Sequence, residues 1–308
     1  MVSKSSMMKL FVRGAAGGDA PGRGVPAALA GAVLALAAST GAATAADSNV
    51  SIYFVGCSAP TGFHGYLARG AAEAGKNLGV KVTYIYPDEL TIPNQVQKIE
   101  EAIAAKANGI ALCEFAEDAA YVDVAKRAKE AGIAFGSAAA PPAGAQVRDP
   151  NDIFLFRTGS DEKAAGALTG KRLAAMGIKA EFLESSMDPG QESELVVNYL
   201  RRNPDTAAAT SVCHISAGLL AAKADSGKKD LIITGYDLDA QALDAVKDGR
   251  QAFTIDQQQF WRGYMPVLLL THYLKYGLVE ANYFLTGPTV VDKSNIDQVA
   301  KLVTAGYR

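Results

Sequence analysis

The side chains best suited to chemistry in this 308-residue chain stand just after short apolar runs, not inside a recognisable catalytic motif. Thr61, Phe63 and His64 follow SIYFVGC (51–57), Glu114 and Phe115 close GIALCEF (109–115), and Ser137 ends IAFGS. His214 and Ser216 follow TAAATSVC, Asp237 ends LIITGYD, and Asp256 and Gln257 end QAFTIDQ. Carboxylate, amide, hydroxyl and imidazole groups together with aromatic rings suit a polyhydroxylated solute. Hydroxyls need donors and acceptors in pairs, and a sugar's C–H face packs on a ring. A carboxylate such as Asp237 can accept from two adjacent hydroxyls, and bonds to charged groups are the stronger ones. A polar group left unpaired in a closed cleft costs about 1–3 kcal/mol, which is how such a site discriminates.

Each residue also has a plainer reading. Asp237 reads equally as the cap of the helix that follows in LDAQALDAV. Phe63 reads as a core residue at a helix start and His64 as an exposed helix residue. Gln257 stands among three glutamines, any one of which suits a ligand. Glu114 reads as a helix-start or surface charge, and Trp261 as packing with Tyr264 and Leu268. No Walker loop, nucleophile elbow or zinc-binding helix pair is present, and GCSAPTGFHG lacks the spacing of a dinucleotide fingerprint. The expectation is a binding protein and not an enzyme, with no cofactor and no metal.

The elements that must hold these residues alternate with little interruption. Strands at 51–57, 80–87, 109–115 and 133–138 are separated by helices with apolar faces, the third being Glu117 to Ala131. Gly79, Gly109 and Gly132 read as left-handed helix stops. After the loop 138–152 a second series follows: strands 152–161, 180–185, 206–214, 230–237 and 251–257, then a long apolar helix from Phe260 to Tyr276. This is the pattern of parallel βαβ units, so the fold class is α/β with two doubly wound, Rossmann-like lobes. Ligands in such sheets lie beyond the carboxyl ends of the strands, where the candidate residues fall.

Residues 1–45 read as a cleaved secretory signal: Lys4, Lys9 and Arg13, then the apolar VPAALAGAVLALAAS, then the small-x-small site Ala43-Thr44-Ala45. The apolar run is shorter than the roughly 20 residues of a membrane span. Removing the leader changes the net charge from −2 to about −5, which argues against nucleic acid or an anionic membrane as partner. Three cysteines, Cys57, Cys113 and Cys213, leave at least one free thiol in an oxidising compartment, and each reads as a small buried hydrophobe.

Four blocks carry a resemblance to the ribose-type periplasmic sugar-binding proteins of ABC importers. They are QVQKIEEAIAAKANGIAL, AAYVDVAKRAKEAGIAFG, FRTGSDEKAAGALTGKRLAAMG and LIITGYDLDAQALDAVKDGRQAFTIDQQQFWRGYMPVLLL. The likeness extends over nearly all of residues 50–300. It implies the type I periplasmic binding protein fold, with residues 46–158 and 258–282 in one lobe and 159–257 and 283–308 in the other. Three crossovers would join the lobes, with a ligand cleft at the hinge. It implies a periplasmic monomer that closes on a monosaccharide or polyol and presents it to membrane subunits; a sensor for a chemoreceptor or kinase would use the same surfaces. By the resemblance, Asp237 matches the sugar-binding aspartate and Gln257 the glutamine at the last crossover. Phe63 and His64 match the aromatic pair after the first strand. Ser137 stands where an aspartate or asparagine is usual, and His214 or Ser216 where an asparagine is. Between Gly177 and Ala180 the resemblance implies a strand, a loop with a sugar-binding arginine, and a helix that have no counterpart in this chain: either 180–185 takes that strand's place in a smaller sheet, or the chain is a shortened, impaired relic of the family.

Overall fold

The computed structural model describes residues 49–142, 144–175, 183, 188–211 and 216–308. The expected leader, nearly all of the expected strand at 180–185, and His214 lie outside them. A first parallel sheet has the order β2-β1-β3-β4, formed by Ser51–Val55 (β1), Lys81–Ile85 (β2), Gly109–Leu112 (β3) and Ala134–Ser137 (β4). β3 and β4 are buried throughout, as expected of strands covered on both faces. One face carries α1 (Gly62–Leu78) and α8 (Gln259–Tyr276), around Phe54, Leu67, Ala111 and Leu270. The other carries α2 (Ile92–Ala104) and α3 (Val122–Glu130), around Val55, Ile99, Leu112 and Val124.

α1 and α8 meet at two glycines. A Cβ on Gly70 would lie 2.1 Å from the carbonyl oxygen of Phe260, and one on Gly263 2.0 Å from that of Leu67. A helix from the last sixth of the chain therefore seals the core of a sheet built near its start. The helix stops differ in one detail from the sequence expectation. Gly79 is the left-handed cap of α1 and Gly132 has φ +73. After α2, however, Lys106 takes the positive φ of 55 while Gly109 opens β3. Gly109 serves packing instead, since a Cβ there would press on Leu270 of α8 at 3.3 Å.

The second sheet has the order β10-β8-β7-β6, formed by Ala208–Thr210 (β6), Ile232–Tyr236 (β7), Phe253–Asp256 (β8) and Thr289–Asp292 (β10). β10 runs antiparallel to β8, a strand the sequence pattern did not reveal. The helices around this sheet are α4 (Glu162–Ala174), α5 (Pro189–Arg202), α6 (Ser216–Ser226), α7 (Ala240–Asp248) and α9 (Ile296–Thr304). Its apolar contacts fall into three smaller clusters, centred on α5 with α6, on α7 with α9, and on α4. Among the described residues the sheet ends at β6.

The chain passes between the two sheets after β4, between β8 and α8, and after α8. On the first and last of these passages β5 (Thr158–Ser160) and β9 (Phe284–Gly287) pair in parallel. No helix among the described residues is long and apolar enough to cross a membrane.

Candidate functional site

Asp237 follows β7 directly and has φ 67, a left-handed conformation uncommon for a residue with a side chain. Two backbone bonds hold it there: its N–H donates to Ile255 O (2.7 Å), and Thr254 Oγ1 donates to its carbonyl (2.8 Å). Its side chain does not cap the next helix. That role belongs to Asp239, whose carboxylate accepts from Ala242 N. Asp237 Oδ1 instead accepts from Gln257 Nε2 (2.8 Å) and Gln259 Nε2 (3.0 Å).

The three consecutive glutamines divide by backbone geometry. Gln258 also has a left-handed φ, 53, and its side chain donates to Thr286 O and Thr289 Oγ1 on the other side. Gln257 and Gln259 are left facing the carboxylate. Burial, partly offset by the Gln257 hydrogen bond, pushes the Asp237 carboxyl up to about 7.

Arg262, one turn into α8, reaches the first sheet. Its Nε donates to Ala138 O, its Nη1 donates to Gln257 Oε1 (3.1 Å), and its guanidinium lies 5.5 Å from the Phe63 ring centre. Among the described residues it has no carboxylate within ion-pair distance. Phe63 meets His64 edge to face at 5.1 Å, and the His64 imidazole borders the Cys113 thiol. Phe63 and His64 are both half-buried in the first turn of α1, neither core nor fully exposed.

Ser137 is fully buried at the end of β4, its hydroxyl donating to Glu114 Oε1 at 2.6 Å. Glu114 is no surface charge: its side chain is 7% exposed and also accepts from Arg157 Nη1 at 3.1 Å. Arg157, itself buried, further binds Asp152 (2.6 Å) and Asp118 (2.8 Å), so one cation serves three carboxyl groups. Burial raises Glu114 to about 7 against the pull of Ser137 and Arg157, and its Oε2 is buried with no partner among the described residues. Burial also pushes on Asp152, but the Arg157 hydrogen bond and charge outweigh it and leave Asp152 below its ordinary value.

These shifts fix a pH dependence. Glu114 and Asp237 titrate near 7 in the folded chain against ordinary values of 4.5 and 3.8. The folded state therefore holds extra protons between those limits, and the stability they provide is lost as pH rises through 7. The melting temperature of the unliganded protein is expected to fall between pH 5 and pH 8, and Glu114→Gln to flatten the slope. A melting temperature that rises over this range would mean both groups are already ionised at pH 5.

The sequence candidates thus fall into two groups that meet at the neighbours Ser137 and Ala138. Phe63, Asp237 and Gln257 come together through Arg262, while Ser137 joins Glu114 and Arg157. His64 lies at the edge of the first, and His214 is outside the described residues. Ser216 lies against β7, where a Cβ on Gly235 would sit 2.5 Å from its hydroxyl. Trp261 is 44% exposed, contacting the rings of Tyr264 and Phe284. Arg262 escaped the sequence reading, because on an apolar helix nothing marks a residue that points back across a chain crossing, while Gln259 stood among the three glutamines with nothing to single it out. A groove of about 730 Å³ between α5 and α6, lined by residues such as Ser193, Val197 and Asp225, touches none of the candidates.

Comparison with known proteins bears on both fold and site. A family model described as periplasmic binding protein domain matches residues 52–184 and 175–278. The two stretches overlap at residues 175–184. Among solved structures, a carbohydrate transporter from Acidothermus cellulolyticus in complex with myo-inositol superposes with a TM-score of 0.71 at 23% identity, over 84% of this chain and 100% of that one. A periplasmic ribose ABC transporter from Conexibacter woesei gives 0.71 at 18% identity, over 85% and 98%. A solute-binding protein from Burkholderia graminis in complex with D-arabinose gives 0.70 at 19%, over 81% and 97%. At these identities the likeness establishes the fold.

Proposed function

Because this chain belongs to the periplasmic binding protein domain family, we propose that it is the solute-binding component of an ABC importer and takes a monosaccharide or polyol. Residues 46–158 and 258–282 form one lobe and residues 159–257 and 283–308 the other. The lobes close on the ligand as a hinge, and the closed form is what membrane subunits recognise. The ligand leaves as it arrived, so no catalytic group is needed. Residues 1–45 direct the chain to the periplasm, where it acts as a monomer.

The observation that carries this reading is the Asp237 carboxyl group, held in a left-handed turn and oriented by two glutamine amides, with Arg262 tied to one of them, Gln257, and to the first sheet. A sugar entering between the sheets can take the place of these bonds one for one. Neutral pentoses, hexoses and polyols are the first ligands to test, and the solved relatives that hold D-arabinose and myo-inositol agree with that choice. The test is a thermal-shift screen followed by calorimetry on residues 46–308. A ligand that binds only the folded state raises the melting temperature with its saturation. A cooperative melt that no sugar or polyol moves would rule out this substrate class.

Arg262 supplies the cleft with a guanidinium, in a chain that lacks the loop arginine implied by its family resemblance. Arg262→Ala is expected to weaken sugar binding about tenfold or more, the range for hydrogen bonds to a charged group, while the protein still melts cooperatively. Unchanged affinity would reduce Arg262 to a strut between chain crossings.

A further inference from the structure

Cys57 and Cys113 are buried at the ends of the hydrogen-bonded neighbours β1 and β3, with their sulfurs 3.3 Å apart. The Cys57 thiol also points at Cys113 O (2.7 Å), and Gln95 Nε2 donates to the same carbonyl (2.9 Å). β1 and β3 pair with Val55 opposite Leu112, so each cysteine lies within two residues of the last paired position, and the sulfur contact turns the two side chains toward each other. Reaching a bonded distance near 2.05 Å takes a shift of about 1.3 Å, within reach of side-chain rotation.

We propose that Cys57 and Cys113 are a dithiol that closes to a disulfide and locks the floor of the ligand cleft. Cys57 precedes the loop that leads into the first turn of α1 with Phe63 and His64, and Cys113 immediately precedes Glu114, so the bond fixes the first-sheet half of the site from beneath. The proton arrangement favours closure. Cys57 donates to Cys113 and is itself raised, while that hydrogen bond, with His64 and Arg262 nearby, outweighs burial and lowers Cys113. Thiolate character is what disulfide exchange requires. With a small disulfide such as oxidised glutathione as oxidant, one cysteine sulfur attacks and expels a glutathione thiolate. The second cysteine then attacks the mixed disulfide and expels the other. Two protein thiols lose two protons and two electrons, and one glutathione disulfide becomes two glutathione molecules. The oxidising setting rests on the periplasmic reading above, but the chemistry is testable without any sugar, so the two can fail separately.

The full chain, unfolded and reduced, is refolded in a glutathione buffer with the oxidised form in excess, then unfolded and alkylated. One labelled cysteine per chain is expected, with peptides containing Cys57 and Cys113 joined and Cys213 labelled. Refolding in reduced buffer should leave all three labelled. The oxidised form is expected to melt roughly 5–15 °C higher, a gain removed by dithiothreitol. Cys213→Ser keeps the link and Cys57→Ser abolishes it; if Cys57→Ser does not fold, the Cys213→Ser result decides alone. Three reactive thiols after oxidative refolding, or a link through Cys213, overturns the proposal.

Discussion

Replacing Asp237 with alanine is expected to weaken sugar binding by roughly 1.5–3 kcal/mol, or about 10- to 150-fold, with a small change in melting temperature. The carboxyl group is the shared acceptor of Gln257 and Gln259, so its loss leaves two amides without the partner that orients them. In the open protein water can take that place, which limits the cost to stability. In a closed complex that excludes water, the cost falls on binding. Asp237→Asn tests the same point more finely. Asparagine tolerates the left-handed turn and keeps one oxygen for the two amides that meet at Oδ1, but it puts an NH2 group where the second carboxyl oxygen would accept from a ligand. Asp237→Asn should therefore fold like the parent and bind less tightly. Calorimetry with the best ligand from the screen separates the outcomes: a variant that loses melting temperature but keeps affinity would make Asp237 a structural residue.

Gly263→Val is expected to destabilise the fold by about 3 kcal/mol or more, a fall of roughly 6–12 °C in melting temperature. The Cβ alone would stand 2.0 Å from Leu67 O, so α1 and α8 must move apart, and every contact along their shared face loosens. Gly70→Ala acts on the same crossing from the other helix. Combining it with Gly263→Ala should cost less than the sum, because one displacement relieves both clashes. Thermal melts of the two single variants and the double one check this; strict additivity would mean that each clash is absorbed locally.

The alternation of strands and helices made the α/β fold legible, because short apolar runs closed by polar residues have few other readings. Asp237 was legible for the same reason: it ends an apolar strand just where a ligand would lie. Its competing role as a cap was decided by Asp239, two residues on, and no pattern could choose between two aspartates so close together. Gln257, Gln258 and Gln259 are chemically identical, and the left-handed backbone at Gln258 sorts them. Glu114 reads in the sequence as a strand-end candidate or as a helix-start or surface charge, and its burial stays hidden because its partner, Arg157, lies 43 residues further on, across a loop with no regular pattern. The contact between Cys57 and Cys113 needs the β1–β3 register, which composition cannot supply. β10 was missed because an antiparallel strand after a long helix breaks the rhythm on which the reading depended.

The crossing of α1 and α8 also sets the order of events during synthesis. At 5–20 residues per second, roughly 10–40 s separate the end of α1 from the end of α8. Until residue 276 of 308 has been made, one face of the first sheet has only α1 as cover, and the apolar side chains that later meet Val267 and Leu270 stay available to any chaperone that reaches them. A nascent chain of this design cannot settle early into a finished half-molecule.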